Sequence, residues 1–217
     1  MTGRIDPFAP DTLGLRAQMM IAAAGLRFSA VGYLRDLGVS RRWLAQACGA
    51  GELGRARVQY SRDGDLFDLA AGDGETAIIL PVTEDGVVTD LVAFDPRTPD
   101  AWALRRGDGV MLGWDAWHAN ANAPETGGGW REDAAVRLFA NPLQWMRGGG
   151  EGLCLLAWTE ATMGMLRALG AERTIVCEDD NFAGVVAERM AERPRLPAVS
   201  VAPVEMVGPA MQLDAAE

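Results

Sequence analysis

Lysine is missing from the sequence, and histidine occurs once, as His118. All 20 basic residues are therefore arginines. This excludes Schiff-base chemistry, a Walker-type phosphate loop and a protein-kinase site, because each needs a lysine amine. A single histidine also excludes a zinc or iron site built from several histidines. The three cysteines have no C-x-x-C spacing, which argues against a disulfide framework and fits a reducing cytoplasm.

Long apolar runs are also missing. The longest covers residues 19–26, far too few to cross a bilayer. We therefore expect a cytoplasmic protein without membrane contact. The 217 residues, 49% hydrophobic and 23% charged, are typical of a globular protein that buries about 70% of its unfolded surface.

Charge is distributed unevenly along the chain. The net charge of −10 argues against a general nucleic-acid coat, because phosphate binding depends on cations. Residues 1–62 nevertheless carry nine arginines against four acids, whereas residues 63–217 carry a net charge of −15. The N-terminal part could present a basic surface to nucleic acid, although solvated helix faces would give the same counts.

The periodicity predicts an α+β fold that starts with helices. Residues 1–52 read as a helical segment in which Asp11, Ser29 and Ser40 are candidate N-caps. Residues 53–117 read as a mostly antiparallel sheet, because three pairs of apolar segments flank glycine-containing turns. The third of these predicted hairpins pairs residues 102–104 with residues 110–112.

The second half has a different period. Residues 118–150 read as a loop and a hinge at Gly148–Gly150, and residues 206–217 as a flexible tail. Residues 151–205 alternate between strand and helix patterns, which predicts a small parallel α/β unit. Its expected strands cover residues 153–157, 174–177 and 199–204.

Acidic residues follow the strand pattern that ends at Cys177. Glu178, Asp179 and Asp180 come directly after it, and Asn181 follows. Ligands of parallel sheets bind at the carboxyl ends of the strands, and gathered carboxylates favour a hard cation such as Mg²⁺. Glu160 follows the preceding strand and could face the same crevice. Alternatively, the acids cap the next helix and favour its positive end.

The segment from Asp179 to Gly184 resembles the D-x-D-x-x-G segment of Toprim domains, the metal-dependent catalytic units of primases and topoisomerases. Asp179 and Gly184 match the first aspartate and the glycine, whereas Asn181 stands at the second aspartate. The family glutamate comes from a Glu-Gly pair that ends the first strand, and a complete domain inserts another strand and helix before the aspartates. This chain offers Glu160 or Glu151 instead.

The resemblance implies a reduced, non-catalytic Toprim-like protein with no cofactor or weakly bound Mg²⁺. The implied metal ligands are Glu160, Glu178, Asp179 and Asn181. Residues 77–94 and the Tyr33-Leu34 segment also resemble the region that precedes the Toprim domain in prophage and plasmid primase–helicase proteins. This order implies a role in mobile-element DNA replication or nucleic-acid metabolism, and any activity would be Mg²⁺-dependent phosphoryl transfer.

Residues 33–46 resemble a helix-turn-helix, with Gly38 at the turn and Ser40 capping the second helix. In this alternative, Arg41, Arg42 and Gln46 contact the phosphates or bases of DNA. An ordinary helical hairpin uses the same signals. A third alternative is a purely structural protein that binds a protein partner or a second copy of itself.

Overall fold

The structure is a computed structural model that describes residues 14–115 and 135–192. The predictions for Asp11, residues 118–134, residues 199–204 and residues 206–217 lie outside these ranges. The helices are α1 (Leu15–Ala24), α2 (Phe28–Asp36), α3 (Arg41–Ala50), α4 (Pro142–Arg147), α5 (Glu160–Glu172) and α6 (Asp180–Ala191). The strands are β1 (Gly54–Tyr60), β2 (Phe67–Leu69), β3 (Glu75–Glu84), β4 (Val87–Phe94), β5 (Trp102–Leu104), β6 (Met111–Leu112), β7 (Val136–Phe139), β8 (Leu153–Leu155) and β9 (Ile175–Cys177).

The α+β fold predicted from the sequence is confirmed, and its first sheet is antiparallel throughout. Its strand order is β2-β1-β3-β4-β5. The predicted hairpins β1–β2 and β3–β4 both form. Asp85 and Gly86, with φ of 53° and 75°, make the two-residue turn between β3 and β4. Positive φ at both central residues suits the right-handed twist of the flanking strands.

The second sheet has the order β6-β8-β7-β9. Strands β8 and β9 each run parallel to β7, so their predicted parallel direction is confirmed. The loop and hinge expected for residues 118–150 is wrong for residues 135–150, because β7 and α4 lie there. Both described partners of β7 are parallel to it, and parallel strands are joined by long crossovers and not by hairpin turns.

The third predicted hairpin does not form, because β5 pairs with β4 whereas β6 pairs with β8 of the second sheet. The reason is Asp90, whose carboxylate is fully buried. It accepts five backbone N–H bonds of 2.7–3.0 Å, four of them from the segment after β5. The amides of Arg106, Asp108 and Gly109 point at the carboxylate, whereas the Arg105 N–H also donates to the Leu91 carbonyl oxygen and continues the pairing of β4 with β5. The donors are Leu91, Arg105, Arg106, Asp108 and Gly109.

The N-terminal helices follow the predicted order with different details. The Ser40 hydroxyl accepts a 3.1 Å bond from the Trp43 N–H, which confirms the cap of α3. Ser29 does not cap α2, because that helix already begins at Phe28 and Arg27 holds the N-cap position. The side of α1 that carries Met20 is exposed, and its buried residues are Leu15, Gln18, Met19 and Ala22.

Three apolar clusters hold the layers together. One face of the first sheet packs on α1, and one face of the second sheet packs on α5 and α6. The third cluster lies between the sheets and includes residues of α2, α3 and α4. Because this central cluster draws on both sheets, the two sheets share one core. Its members include Leu34, Leu44, Ile78, Val92, Phe94, Leu112, Phe139, Met146 and Cys154.

The glycine run Gly148–Gly150 packs against aromatic rings. A Cβ on Gly148 would lie 2.3 Å from the Phe139 ring, and one on Gly150 would lie 2.4 Å from Nε1 of Trp43. Trp43 also packs edge to face on Trp145, with ring centroids 5.9 Å apart. The run thus has a packing function between α3 and α4, in place of the hinge inferred from sequence.

Candidate functional site

The carboxyl ends of β7 and β9 meet at one edge of the second sheet. Leu138 pairs with Cys177 in parallel register, so the residues that follow each strand are neighbours. A 3.3 Å bond from the Ala140 N–H to Oε1 of Glu178 joins the two strand ends directly. We call this place the strand-end site and define it by Ala140, Asn141, Glu178 and Asp179.

Asn141 ties the strand-end site to the first sheet. Its side chain is buried, and its Oδ1 accepts a 2.9 Å bond from the Gln144 N–H. This is an N-cap for α4, and Pro142 occupies the first turn where its missing N–H has no cost. The Asn141 Nδ2 donates a 2.7 Å bond to Asp100, in the loop between β4 and β5. The site therefore has a carboxylate contributed from the other sheet.

The electrostatics of Glu178 reflect this gathering of acids. Partial burial raises the pKa of its carboxyl, and the charges of Asp179 and Asp100 raise that pKa further. The Ala140 N–H and the Arg147 guanidinium act in the opposite direction. The charges of Asp179 and Asp100 thus oppose ionisation of Glu178, and that of Arg147 favours it.

Asp179 caps α6. Its Oδ1 accepts a 2.8 Å bond from the Phe182 N–H, and Asp180 lies in the first turn of the helix. The alternative interpretation of the acidic run as a helix cap is confirmed for Asp179. Asn181 is exposed on the same turn. Asp179 and Asp180 also interact favourably with the positive end of the α6 helix dipole.

Glu160 has a different partner. Its carboxylate forms a 2.7 Å ion pair with Arg167 on the same helix. Arg167 also donates to the carbonyl oxygens of Met190 and Glu192 at the end of α6. The ion pair of Glu160 therefore lies at the contact between α5 and α6. Across residues 14–115 and 135–192, no group of three or more histidine, cysteine or acidic side chains is arranged to hold a metal ion.

The predicted helix-turn-helix has the expected local geometry. Helices α2 and α3 are joined by a short turn in which Gly38 has a φ of +95°. Leu34 and Leu44 are buried in the shared core. The candidate DNA-contacting residues Arg41, Arg42 and Gln46 are all exposed on α3.

Arg147 connects this turn with the strand-end site. Its Nε donates a 2.6 Å bond to the carbonyl oxygen of Leu37, in the turn between α2 and α3. The same guanidinium is close enough to Glu178 to lower the pKa of that carboxyl. Arg147 thus contacts the turn directly and acts on the strand-end site through its charge.

The cysteines are not activated. Burial raises the pKa of the Cys48, Cys154 and Cys177 thiols, so each is a weaker source of thiolate than free cysteine. Cys177 lies beside the strand-end site, and the neighbouring charges of Asp179 and Glu178 raise its pKa further. The environment of Cys177 therefore disfavours nucleophilic catalysis by its thiolate.

Sequence reasoning missed Asn141, Asp100 and Arg147. A usable signal existed for Asn141, because asparagine followed by proline is a common N-cap and first-turn pair. No local signal marks Asp100 or Arg147, since their roles depend on contacts between distant segments. No family model, curated protein or solved structure matches this chain. In the described ranges, none of the helices is long and apolar enough to span a membrane.

Proposed function

We propose that this chain is a reduced, non-catalytic Toprim-like protein of nucleic-acid metabolism, with a role in mobile-element DNA replication. The observation that carries the proposal is the parallel arrangement β8-β7-β9. It puts β8 and α5 between the end of β7 and Asp179, and the family pattern has such a strand and helix between its glutamate and aspartates. This supports β7 as the first strand of the unit.

The residues at the two strand ends support the non-catalytic part. With β7 as the first strand, Ala140 and Asn141 occupy the end where the family carries glutamate. Asn181 stands at the second aspartate. Amide oxygens can bind Mg²⁺, but they do not balance its charge. Two-metal phosphoryl transfer needs several carboxylates to hold both ions. We therefore expect at most weak Mg²⁺ or Mn²⁺ binding, and no nuclease, topoisomerase or primase turnover.

A gain-of-function experiment tests this proposal. The double substitution Asn141→Asp with Asn181→Asp restores a carboxylate at both positions with almost no change in shape. Asn141→Asp keeps the oxygen that caps α4, but it replaces the donor to Asp100 with a second carboxylate, which destabilises the metal-free variant and favours a bound cation. We expect millimolar Mn²⁺ to raise the melting temperature of this variant by several degrees, because a ligand at 100 times its Kd stabilises by about 2.7 kcal/mol. The wild type should shift by less than about 2 °C.

The control is Gln46→Glu with Gln59→Glu, which adds the same charge on α3 and β1, away from the strand-end site. An equal Mn²⁺ shift in this control would show general charge screening. Absence of a metal-dependent shift in the Asn141 and Asn181 variant would contradict the Toprim-like proposal. A large Mn²⁺ shift of the wild type, lost in Asp179→Asn and accompanied by metal-dependent cleavage or oligonucleotide synthesis, would contradict the non-catalytic part.

A second candidate function, duplex DNA binding through α3, is favoured by one observation. The Gly38 turn, the Ser40 cap and the exposed Arg41, Arg42 and Gln46 together form the geometry that such a motif uses. Arg41→Ala with Arg42→Ala should then weaken duplex binding and reduce its log–log salt slope by about 2. Duplex binding that is unchanged by this pair would exclude α3 as the contact.

A further inference from the structure

Two adjoining pockets on the first sheet are lined by arginines. One, of about 560 Å³, lies between the end of α1 and the start of β1 and is lined by Arg27, Arg55 and Arg57. The other, of about 360 Å³, lies under α2 and is lined by Arg55, Tyr33 and Arg97. Arg55 and Thr76 line both pockets, so the two form one continuous surface. We call it the arginine groove.

Most of the positive charge in the arginine groove is not neutralised by acids. Arg97 is paired with Asp95, and Arg57 donates to the neutral carbonyl of Gly74. Among the described residues, no acidic side chain forms an ion pair with Arg27 or Arg55. Arg27, Arg55 and Arg57 belong to the part of the chain with a net charge of +5, on a protein whose total is −10. A cationic concavity on an acidic protein selects for an anionic ligand.

Aromatic rings accompany these charges. Phe28 is 97% exposed, and its chain neighbours Arg27 and Ser29 each line one of the two pockets. Tyr33, which is 43% exposed, lines the pocket under α2. Exposed rings interleaved with arginines are the combination that binds unpaired nucleotides, because arginines follow the phosphates and rings stack on the bases.

We propose that the arginine groove binds single-stranded nucleic acid. Arg27, Arg55 and Arg57 contact successive phosphates, and Phe28 stacks on a base. A duplex fits this chemistry less well, because its base faces are already covered by neighbouring bases and a phenylalanine ring has nothing to stack on. The proposal does not depend on the strand-end site, since the groove is built from the first sheet and α2.

The test is a fluorescence-anisotropy titration of the wild-type protein with a labelled oligothymidylate of about 12 nucleotides, at salt concentrations from about 50 mM upward. We expect saturable binding that weakens with salt. Phe28→Ala should raise the Kd by about 5- to 100-fold, and Phe28→Trp should restore the affinity. Arg27→Gln with Arg55→Gln should reduce the log–log salt slope by about 0.7 for each arginine.

The matched control is Arg16→Gln with Arg62→Gln, which removes the same charge from two exposed arginines that do not line the groove and should leave oligothymidylate binding unchanged. Melting curves of every variant separate loss of binding from loss of folding. The proposal is overturned if the wild type does not bind at about 50 mM salt. It is also overturned if the groove variants and the control weaken binding equally. If thymidine monophosphate competes as well as the oligonucleotide at the same concentration of nucleotides, the groove is assigned to free nucleotides instead. Preference for a duplex of the same length would overturn the single-strand assignment.

Discussion

The two sheets place their carboxylates in opposite environments. In the first sheet, Asp90 is fully buried and accepts five backbone N–H bonds. In the second sheet, Glu178 and Asp179 lie exposed at the end of β9, and each accepts one backbone bond. A carboxylate whose lone pairs are used by amides organises the fold. Carboxylates with free lone pairs beside other acids remain available to a ligand.

We expect the largest loss of stability from a substitution of Asp90. Asp90→Ala removes an acceptor from five backbone N–H groups. The buried amides of Leu91 and Gly109 lose their acceptor, whereas the Arg105 N–H keeps the Leu91 carbonyl oxygen. Each unsatisfied buried donor costs about 1–3 kcal/mol. We expect a loss of at least about 3 kcal/mol in the free energy of unfolding, measured by urea denaturation. Asp63→Ala, in an exposed turn, is the control and should change stability by less than about 0.5 kcal/mol. A loss at Asp90 as small as at Asp63 would show that the amides find other acceptors.

We expect the next largest loss of stability from a substitution of Gly152, beside the second sheet. Gly152 has a φ of +107°, and a Cβ there would lie 2.5 Å from the carbonyl oxygen of Arg137. Gly149 also has a positive φ, of 81°, but has open space around it. Gly152→Ala combines backbone strain with a collision and should cost more than about 2 kcal/mol, whereas Gly149→Ala should cost about 1 kcal/mol. Equal melting temperatures for the two variants would contradict the close approach of β7 to this residue.

The capping role of Asp179 predicts a smaller effect. Asp179→Ala removes the acceptor for the Phe182 N–H and should destabilise by about 1 kcal/mol. Asp179→Asn should cost only a few tenths of that, because asparagine caps helices about equally well. Thermal melting of both variants without metal measures the difference. An asparagine variant as unstable as the alanine variant would indicate that the charge itself is needed.

The smallest expected effect concerns pH. Because the pKa of Glu178 is raised in the folded state, that state holds its proton to higher pH than the unfolded chain. The contribution of Glu178 to stability therefore falls as the pH rises above the ordinary value of 4.5. Glu178→Gln should flatten this part of the curve of stability against pH, and Glu188→Gln, on the exposed side of α6, should not. Parallel curves for the wild type and Glu178→Gln would refute the crowding of acids at this site.

Elements set by local turns could be predicted from the sequence, whereas elements set by distant contacts could not. The hairpins around Asp85-Gly86 and Asp63-Gly64 were predictable, because a turn specifies an antiparallel pair locally. Strand β7 was not, because its partners β8 and β9 are reached through helices and its four residues carry no turn signal. Missing β7 also concealed Asn141 as the residue at its end. Asp90 looked like any polar residue of a half-exposed strand, since its donors come from a segment 15–19 residues away.

The sequence correctly predicted where the acidic run lies in the fold. It did not predict which distant side chains would lie beside the run. Residues 178–181 lie at a strand end followed by a helix, as their order predicts. Glu160 was expected beside them because it also follows a strand, but it forms an ion pair with Arg167. The carboxylates that influence Glu178 are its chain neighbour Asp179 and Asp100, which lies in a loop of the other sheet. Sequence order alone gives no indication of such a neighbour.

The side chain of Arg147 touches one candidate site and acts on the other only through its charge. Its Nε donates to the Leu37 carbonyl oxygen, and its positive charge lowers the pKa of the Glu178 carboxyl. If a ligand on α3 displaced the Leu37 turn and Arg147 moved with it, the affinity of the acids for a cation would change. Linkage would then require a cation at the acids to change the affinity for that ligand by the same factor.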